Sequence, residues 1–318
     1  VAASEVQPGK QGWRAWIQTP RANKIFLTVC ALTWGFSFFV MKDATEVLPV
    51  YWLLALRFSI AAVLSLIFFW KPVRAHLNRH TVGVGLLFGV LEWGGYAFQT
   101  MGLTMTTPGK NAFLTGVYVV IVPFLAWLFR MGKPKRYDVV AALLCVAGMF
   151  FVASDAADAT GSVNAGDMLT LVGSVFYALQ ILAVVKWGEK LNIWALSTWQ
   201  FIAMAGCSAL IMPFETAPGA AAFTPTVIAQ LLFFGVICSF VALTVMNYAF
   251  TRVDPSEGSL LSSLESPSGV FFSVLAGYEA LNGRLVTGFI LIFIAILISN
   301  GWPWFLAKLR GAKAPHSS

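Results

Sequence analysis

Glu92 is a carboxylate in the middle of an apolar stretch, with Tyr96 and Gln99 following it at i+4 and i+7. That spacing puts all three on one face of a helix. If the stretch crosses a bilayer from an entry near Thr81, Glu92 lies about 16 Å deep at 1.5 Å per residue, close to the midplane. A carboxylate there is costly unless it is paired, protonated or bound to a cation. Two chemistries fit it. It can hold a ligand ammonium, with Trp34, Trp93, Tyr96, Tyr118 or Tyr177 supplying cation–π contact, or it can titrate. A bland alternative is a buried ion pair with Lys110 or Arg57.

Further polar stripes run at helical spacing elsewhere: Asn111, Thr115 and Tyr118; Thr244 and Asn247; Ser259, Ser262 and Ser266. Polar stripes facing lipid are unfavourable, so these are expected to face the bundle interior, where they line a cavity or bond helix to helix. Glu265 is a second midspan carboxylate, placed just before Pro267. The missing donor of that proline bends a helix, so Glu265 is either structural or a second protonatable site, and Pro123 and Pro267 are read as kinks or hinges. Arg57 is read as an anchor whose stem reaches toward external water. The expected solute contacts are therefore Glu92, Tyr96, Gln99, Asn111, Thr115, Tyr118, Trp34, Tyr177, Asn247 and Ser262, with Glu92 and Glu265 as coupling candidates.

What must position these residues is a membrane bundle. The 318 residues are 58% hydrophobic and 11% charged, whereas soluble domains carry about 25% charged residues. Ten apolar runs occur at roughly 24–42, 50–70, 81–104, 110–130, 137–153, 167–186, 193–213, 226–250, 257–278 and 285–306. Runs near 20 residues span the hydrocarbon as helices, and they lack the strict alternation of a membrane barrel. Gly85 and Gly89 of the third run allow close helix contact.

The ten runs divide into two similar halves. Trp34-Gly35-Phe36-Ser37 falls opposite Tyr177-Ala178-Leu179-Gln180, Arg57 opposite Gln200, Thr107-Pro108-Gly109 opposite Asp254-Pro255-Ser256, and Pro123 opposite Pro267. Five crossings per half force the second half to lie inverted relative to the first, the architecture of alternating-access transporters. The expected organisation is a cytoplasmic tail 1–23, a first five-helix repeat 24–153, an external linker 154–166, an inverted second repeat 167–306 and a cytoplasmic tail 307–318.

The net charge of +7 is a topology signal. Of the 21 Lys and Arg, all lie in the tails and even-numbered connections except Arg57, inside a span, and Lys42, Lys110 and Arg284 on the opposite side. Positive-inside bias puts both termini in the cytoplasm, and no nucleic-acid partner is expected. Residues 1–22 are polar and give no expectation of a signal peptide. The chain has no Asn-x-Ser/Thr sequon, in keeping with a bacterial inner membrane.

Cys30, Cys145, Cys207 and Cys238 have no metal-ligand spacing, and His76, His80 and His316 form no catalytic motif. No metal, cofactor or enzymatic activity is expected. The expected partners are a small-molecule substrate and the lipid bilayer, with a homodimer compatible with the architecture.

The segment Ala31-Leu32-Thr33-Trp34-Gly35-Phe36-Ser37-Phe38-Phe39-Val40-Met41-Lys42, followed by Pro49 and Ala55-Leu56-Arg57-Phe58, resembles the opening of the EamA-type branch of the drug/metabolite transporter superfamily. Gly166-Asp167-Met168-Leu169-Thr170-Leu171 with Phe176-Tyr177-Ala178 repeats the match. Tyr248-Ala249-Phe250, Ser263-Leu264-Glu265-Ser266-Pro267 and Gly277-Tyr278-Glu279 are similar to that family's final motif. The resemblance covers about residues 24–306. It implies an all-α membrane protein of ten helices in two inverted five-helix repeats, with a central cavity built mainly by helices 3, 4, 8 and 9 beside 1 and 6. It also implies a secondary transporter, since known members move amino acids, sugars, nucleotide precursors and drugs, mostly outward in bacteria; the residues themselves add the expectation of an amino acid, amine or drug-like cargo exported by proton or solute exchange. The Lys133-Pro134-Lys135-Arg136 stretch departs from that family, which carries an acid after helix 4, and so does Glu92 in the third span. An uncoupled channel or facilitator is the alternative reading.

Overall fold

The computed structural model describes residues 16–153, 164–253, 258 and 261–309. Most of the expected linker, the outer parts of both tails, Ser259 and the segment Asp254-Pro255-Ser256 lie outside the described residues. The architecture is all-helical. We label the helices α1 (Pro20–Val47), α2 (Val50–Ala75), α3 (Arg79–Met105), α4 (Pro108–Gly116), α5 (Tyr118–Leu128), α6 (Arg136–Ala153), α7 (Ala165–Trp187), α8 (Ile193–Ile211), α9 (Pro225–Leu232), α10 (Ala242–Phe250), α11 (Glu265–Leu275) and α12 (Gly283–Leu309).

Helices α4 and α5 together make the fourth span. The eighth is α9 and α10 joined by a π-helical stretch, Phe233–Val241. Among the described residues, seven spans are long and apolar enough to cross a membrane, and Gly283–Ser299 is a shorter apolar helix. The expected fifth and ninth spans are occupied by α6, of 18 residues, and α11, of 11.

Local chemistry sets the starts of these helices. Thr19, Asn78, Asn164, Asn192 and Thr224 each accept a backbone N–H two or three residues on, meeting donors that a helix leaves open at its start. Thr107 does the same for α4, with Pro108 in the first position, where its missing donor is harmless.

The packing repeats itself when the halves are exchanged. The second span packs on the seventh and the fifth on the tenth. The third lies against the sixth and seventh, and the eighth against the first and second. The fourth contacts the sixth and ninth, while the ninth contacts the first and fourth. This is the pattern a two-fold pseudo-symmetric pair of five-helix repeats produces.

The third span is the most deeply embedded, and its glycines are the reason. A Cβ on Gly85 would stand 2.5 Å from the Cβ of Trp199, and one on Gly89 would collide with the Gln200 carbonyl and the Ala203 methyl of α8. Gly102 and Gly166 block one another in the same way across α3 and α7. The backbones approach because no side chain stands between them.

The fourth span breaks at Val117 and not at Pro123. Ser174 of α7 donates to the carbonyl of Leu114 at 2.7 Å, so a neighbouring hydroxyl takes up an acceptor that the interruption frees. In the ninth span the chain turns at Ser263 and Leu264, and Pro267 falls in the first turn of α11. The proline there removes a donor that a helix start does not use.

The glycine contacts yield a prediction. Gly89→Leu forces α3 off α8 and destabilises the fold by about 1–3 kcal/mol, the usual penalty for overpacking. Gly83→Ala, which meets nothing within 4 Å, leaves stability unchanged or slightly higher. Thermal unfolding of the purified protein in detergent reads both, and equal melting temperatures for wild type and Gly89→Leu would contradict the account.

Candidate functional site

A cavity of about 310 Å³ lies between the halves. From the first half it is walled by Trp34, Ser37, Phe38 and Met41 of α1, Arg57 of α2, Glu92, Tyr96, Gln99, Thr100 and Leu103 of α3, Asn111 and Thr115 of α4, and Tyr118 of α5. The second half adds Tyr177, Gln180 and Ile181 of α7, Leu243, Met246 and Asn247 of α10, Ser262, and Glu265 of α11. All ten expected solute contacts and both coupling candidates therefore meet in one space. The helical spacing of Glu92, Tyr96 and Gln99, and of Asn111, Thr115 and Tyr118, brings them there.

Hydrogen bonds between spans fix the walls. Tyr177 Oη donates to Gln99 Oε1 at 3.0 Å, and Gln99 Nε2 donates to Thr115 Oγ1 at 2.8 Å. Asn111 Nδ2 reaches the Gln99 carbonyl at 3.1 Å and Thr170 Oγ1 at 2.7 Å. Asn247 Nδ2 donates to Ser197 Oγ at 3.0 Å and Gln200 Oε1 at 3.2 Å. Trp34 Nε1 donates to the Cys238 carbonyl at 3.0 Å. The rings of Tyr96 and Tyr118 meet Tyr177 edge-on at 5.7 Å and 6.3 Å, a favoured aromatic geometry.

Several expectations need correction. Arg57 does not reach external water: it is 2% exposed. Its Nε and Nη2 donate to Ser239 Oγ at 3.1 and 3.0 Å, and its guanidinium lies 4.8 to 5.4 Å from the rings of Tyr96, Phe58 and Phe234. Ser239, Phe234 and Cys238 all belong to the π-helical stretch, so that irregular backbone is what receives Arg57 and Trp34. Lys110 is not a partner of Glu92, because it sits beside Glu279 at the end of the bundle. Trp93 turns away from the cavity and donates to Ser208 Oγ at 2.9 Å. Of the two roles expected for the polar stripes, Ser266 takes the interhelical one, donating to the Ala112 carbonyl at 3.2 Å, and Thr244 is buried in the bundle interior.

Ser37 and Gln180 line the cavity but were not among the expected contacts. The signal for both lay in the repeat itself, since they end the paired segments Trp34–Ser37 and Tyr177–Gln180. Among the described residues no three His, Cys, Asp or Glu side chains converge in a way that could hold a metal ion.

The cavity reaches Gly188 and Thr251 at one end of the bundle. At the other end a set of polar ties crosses between the halves, and none of its members lines the cavity. Tyr278 donates to Asp43, and Thr107 to Glu279. Thr106 donates to Asp167 Oδ1 at 2.7 Å, and Asn164 donates to the Met105 carbonyl. Within the first half, Lys42 Nζ donates to the carbonyls of Thr104, Thr106 and the cavity-lining Leu103 at 2.8 to 3.1 Å, a cation at the negative end of a helix. Burial pushes the Glu279 carboxyl above its ordinary value, against the opposing pull of Thr107 and Lys110.

Comparison with known proteins gives a consistent result. Residues 24–154 and 164–301 each match the family model described as "EamA-like transporter family". A protein of Archaeoglobus fulgidus named as an uncharacterized transporter is 29% identical over 272 residues, covering 86% of this chain and 83% of its own. The Bacillus subtilis protein named "Uncharacterized transporter YoaV" is 20% identical over 284 residues, covering 87% of this chain and 97% of its own. A solved crystal structure that is 16% identical superposes with a TM-score of 0.66, over 90% of this chain and 99% of the other. That likeness concerns the fold alone.

The tie at Glu279 predicts a pH dependence. Below the ordinary carboxylate range, Glu279 is protonated in folded and unfolded chains alike, and its contribution to stability is fully present. As pH rises through its raised folded-state value, the buried charge forms and that contribution is lost. The melting temperature therefore falls across that window in the wild type, and Glu279→Gln flattens the slope. An identical slope in the variant would assign the effect to another group.

Proposed function

The chain belongs to the EamA-like transporter family, and from that premise we propose that it is a secondary active carrier working by alternating access. It is a multi-pass membrane transporter, not an enzyme, and its partners are the bilayer and a small-molecule substrate. On our reading it moves an amino acid, amine or drug-like solute outward across the inner membrane, in exchange for protons or a second solute.

The observation that carries this reading is a cavity walled by both halves and, among the described residues, tied across the halves at the end opposite Gly188 and Thr251. A solute site at the repeat interface, near the midplane, is where inverted-repeat carriers bind their cargo. With both termini in the cytoplasm, the end at Gly188 and Thr251 faces inward and the tied end faces outward. Release then requires the ties from Asp43 to Tyr278 and from Thr107 to Glu279 to part while the inner end closes. Pro123 and Pro267 are the proposed hinges. Tyr96, Gln99, Asn111, Thr115, Tyr118, Trp34, Tyr177, Asn247 and Ser262 position the solute, and the pair Glu92 and Glu265 forms the acidic site through which its movement is coupled to an ion.

Flux in proteoliposomes tests the proposal. Vesicles preloaded with a mixture of amino acids and amines drive counterflow of the labelled solute that the protein accepts. Glu92→Gln slows that exchange at least ~10-fold, since a lost charge-assisted contact of about 1.5–3 kcal/mol corresponds to tenfold or more. Ion currents without counterflow would make the protein a channel. Unchanged flux in Glu92→Gln would remove Glu92 from the site.

A further inference from the structure

Glu92 and Glu265 come from opposite halves and line the same cavity. Glu92 is only 4% exposed. Among the described residues neither carboxylate accepts a hydrogen bond or forms an ion pair. Acceptors so placed need a partner, and the described residues offer none in contact.

The two carboxylates stand in different electrostatic surroundings. Arg57 acts on Glu92 through space, whereas the charged group acting on Glu265 is Glu92 itself. Among the described residues that line the cavity Arg57 is the sole cation, and two of its nitrogens are held by Ser239. One cation against two carboxylates leaves the described lining one carboxylate without a counter-charge, and Glu265 is the one on which no cation acts. Around it stand the rings of Tyr96, Tyr118 and Tyr177, with Trp34 on the adjoining wall.

We infer that the cavity takes an organic monocation, a primary or secondary amine on an apolar or aromatic body. Its ammonium sits at Glu265 and displaces one proton from that carboxyl. Glu92 is the fixed counter-charge of Arg57. This rests on the carrier reading above and narrows it: a zwitterion or an anion brings a carboxylate for which the described walls hold no uncommitted cation. A volume of about 310 Å³ matches the low end of small-molecule pockets, enough for an amine on one ring. Aromatic faces around an ammonium contribute cation–π attraction.

The exchange balances. One ammonium enters, one proton leaves, and the net charge of the site is the same before and after. The groups facing Glu265 are Glu92 and Tyr96 from α3, Tyr118 from α5, Tyr177 from α7 and Cys238 from the π-helical stretch, with Arg57 of α2 acting on Glu92 behind them. Helix α1, which packs on α11, presents Trp34, Ser37, Phe38 and Met41 to the cavity, none of which ionises.

Three probes with one ring decide the matter: phenethylamine, phenylalanine and 3-phenylpropionate. Calorimetric titration of the full-length protein in detergent, in two buffers of different ionisation heat, gives affinity and protons released together. Phenethylamine is expected to bind at least ~10-fold more tightly than phenylalanine, about 1.4 kcal/mol, with 3-phenylpropionate weakest and one proton released per amine bound. Glu265→Gln abolishes that release and weakens binding at least tenfold, Glu265→Asp retains the release, and Glu92→Gln lowers affinity while retaining it. The assignment is overturned by tighter binding of phenylalanine or 3-phenylpropionate. It is equally overturned by proton release surviving in Glu265→Gln, or by the absence of saturable amine binding. Counterflow with the same probes separates the two levels. Exchange of phenylalanine in preference to the amine sinks the amine assignment and leaves the carrier standing, whereas ion currents without exchange sink the carrier.

Discussion

Polar groups in a bilayer have nowhere to go but toward one another. Every carboxylate, amide and hydroxyl buried in these spans must meet a partner from another helix or face a shared cavity, because lipid offers no hydrogen bonds. The rest of the arrangement follows from that constraint. The stripe on α3 and the stripe on α4 and α5 turn inward and join at Gln99 and Thr115. Asn247 joins α10 to Ser197 and Gln200 of α8. Tyr177 reaching Gln99 and Asn111 reaching Thr170 cross between the halves, so the walls of the cavity are also contacts that hold the repeats together.

Close approach is the second requirement, and glycine supplies it. Helix α3 slots against α7 and α8 along Gly85, Gly89 and Gly102. Had these positions carried larger residues, α3 would stand away from its neighbours. Glu92 and Tyr177 would then no longer border one space. The glycine-lined face and the polar face of α3 thus serve one purpose, the first by placing the helix and the second by furnishing the cavity.

Much of the candidate site was legible because helical spacing and the cost of lipid exposure both act locally. Glu92, Tyr96 and Gln99 had to share a face, and that face had to point inward. Arg57 was misread because its partner is remote in sequence: Ser239 becomes available only where the eighth span adopts π geometry, and no run of residues announces that. Trp93 was misjudged because a partner on α8, Ser208, competes for its indole. The break at Val117 had no local signal, because the hydroxyl that eases the interruption belongs to α7. Ser37 and Gln180 lay within reach of the repeat comparison, since their positions correspond across the halves.

The stretch Phe233–Val241 has a mechanical meaning of its own. A π turn holds more residues than an α turn. If the surplus residue migrates along the helix, everything beyond it swivels about the axis while the ladder of backbone bonds stays closed. Leu243, Met246 and Asn247 lie just past that stretch, on the cavity side. The eighth span therefore holds a swivel in its backbone, able to present a different set of side chains to the cargo without melting the helix that carries them.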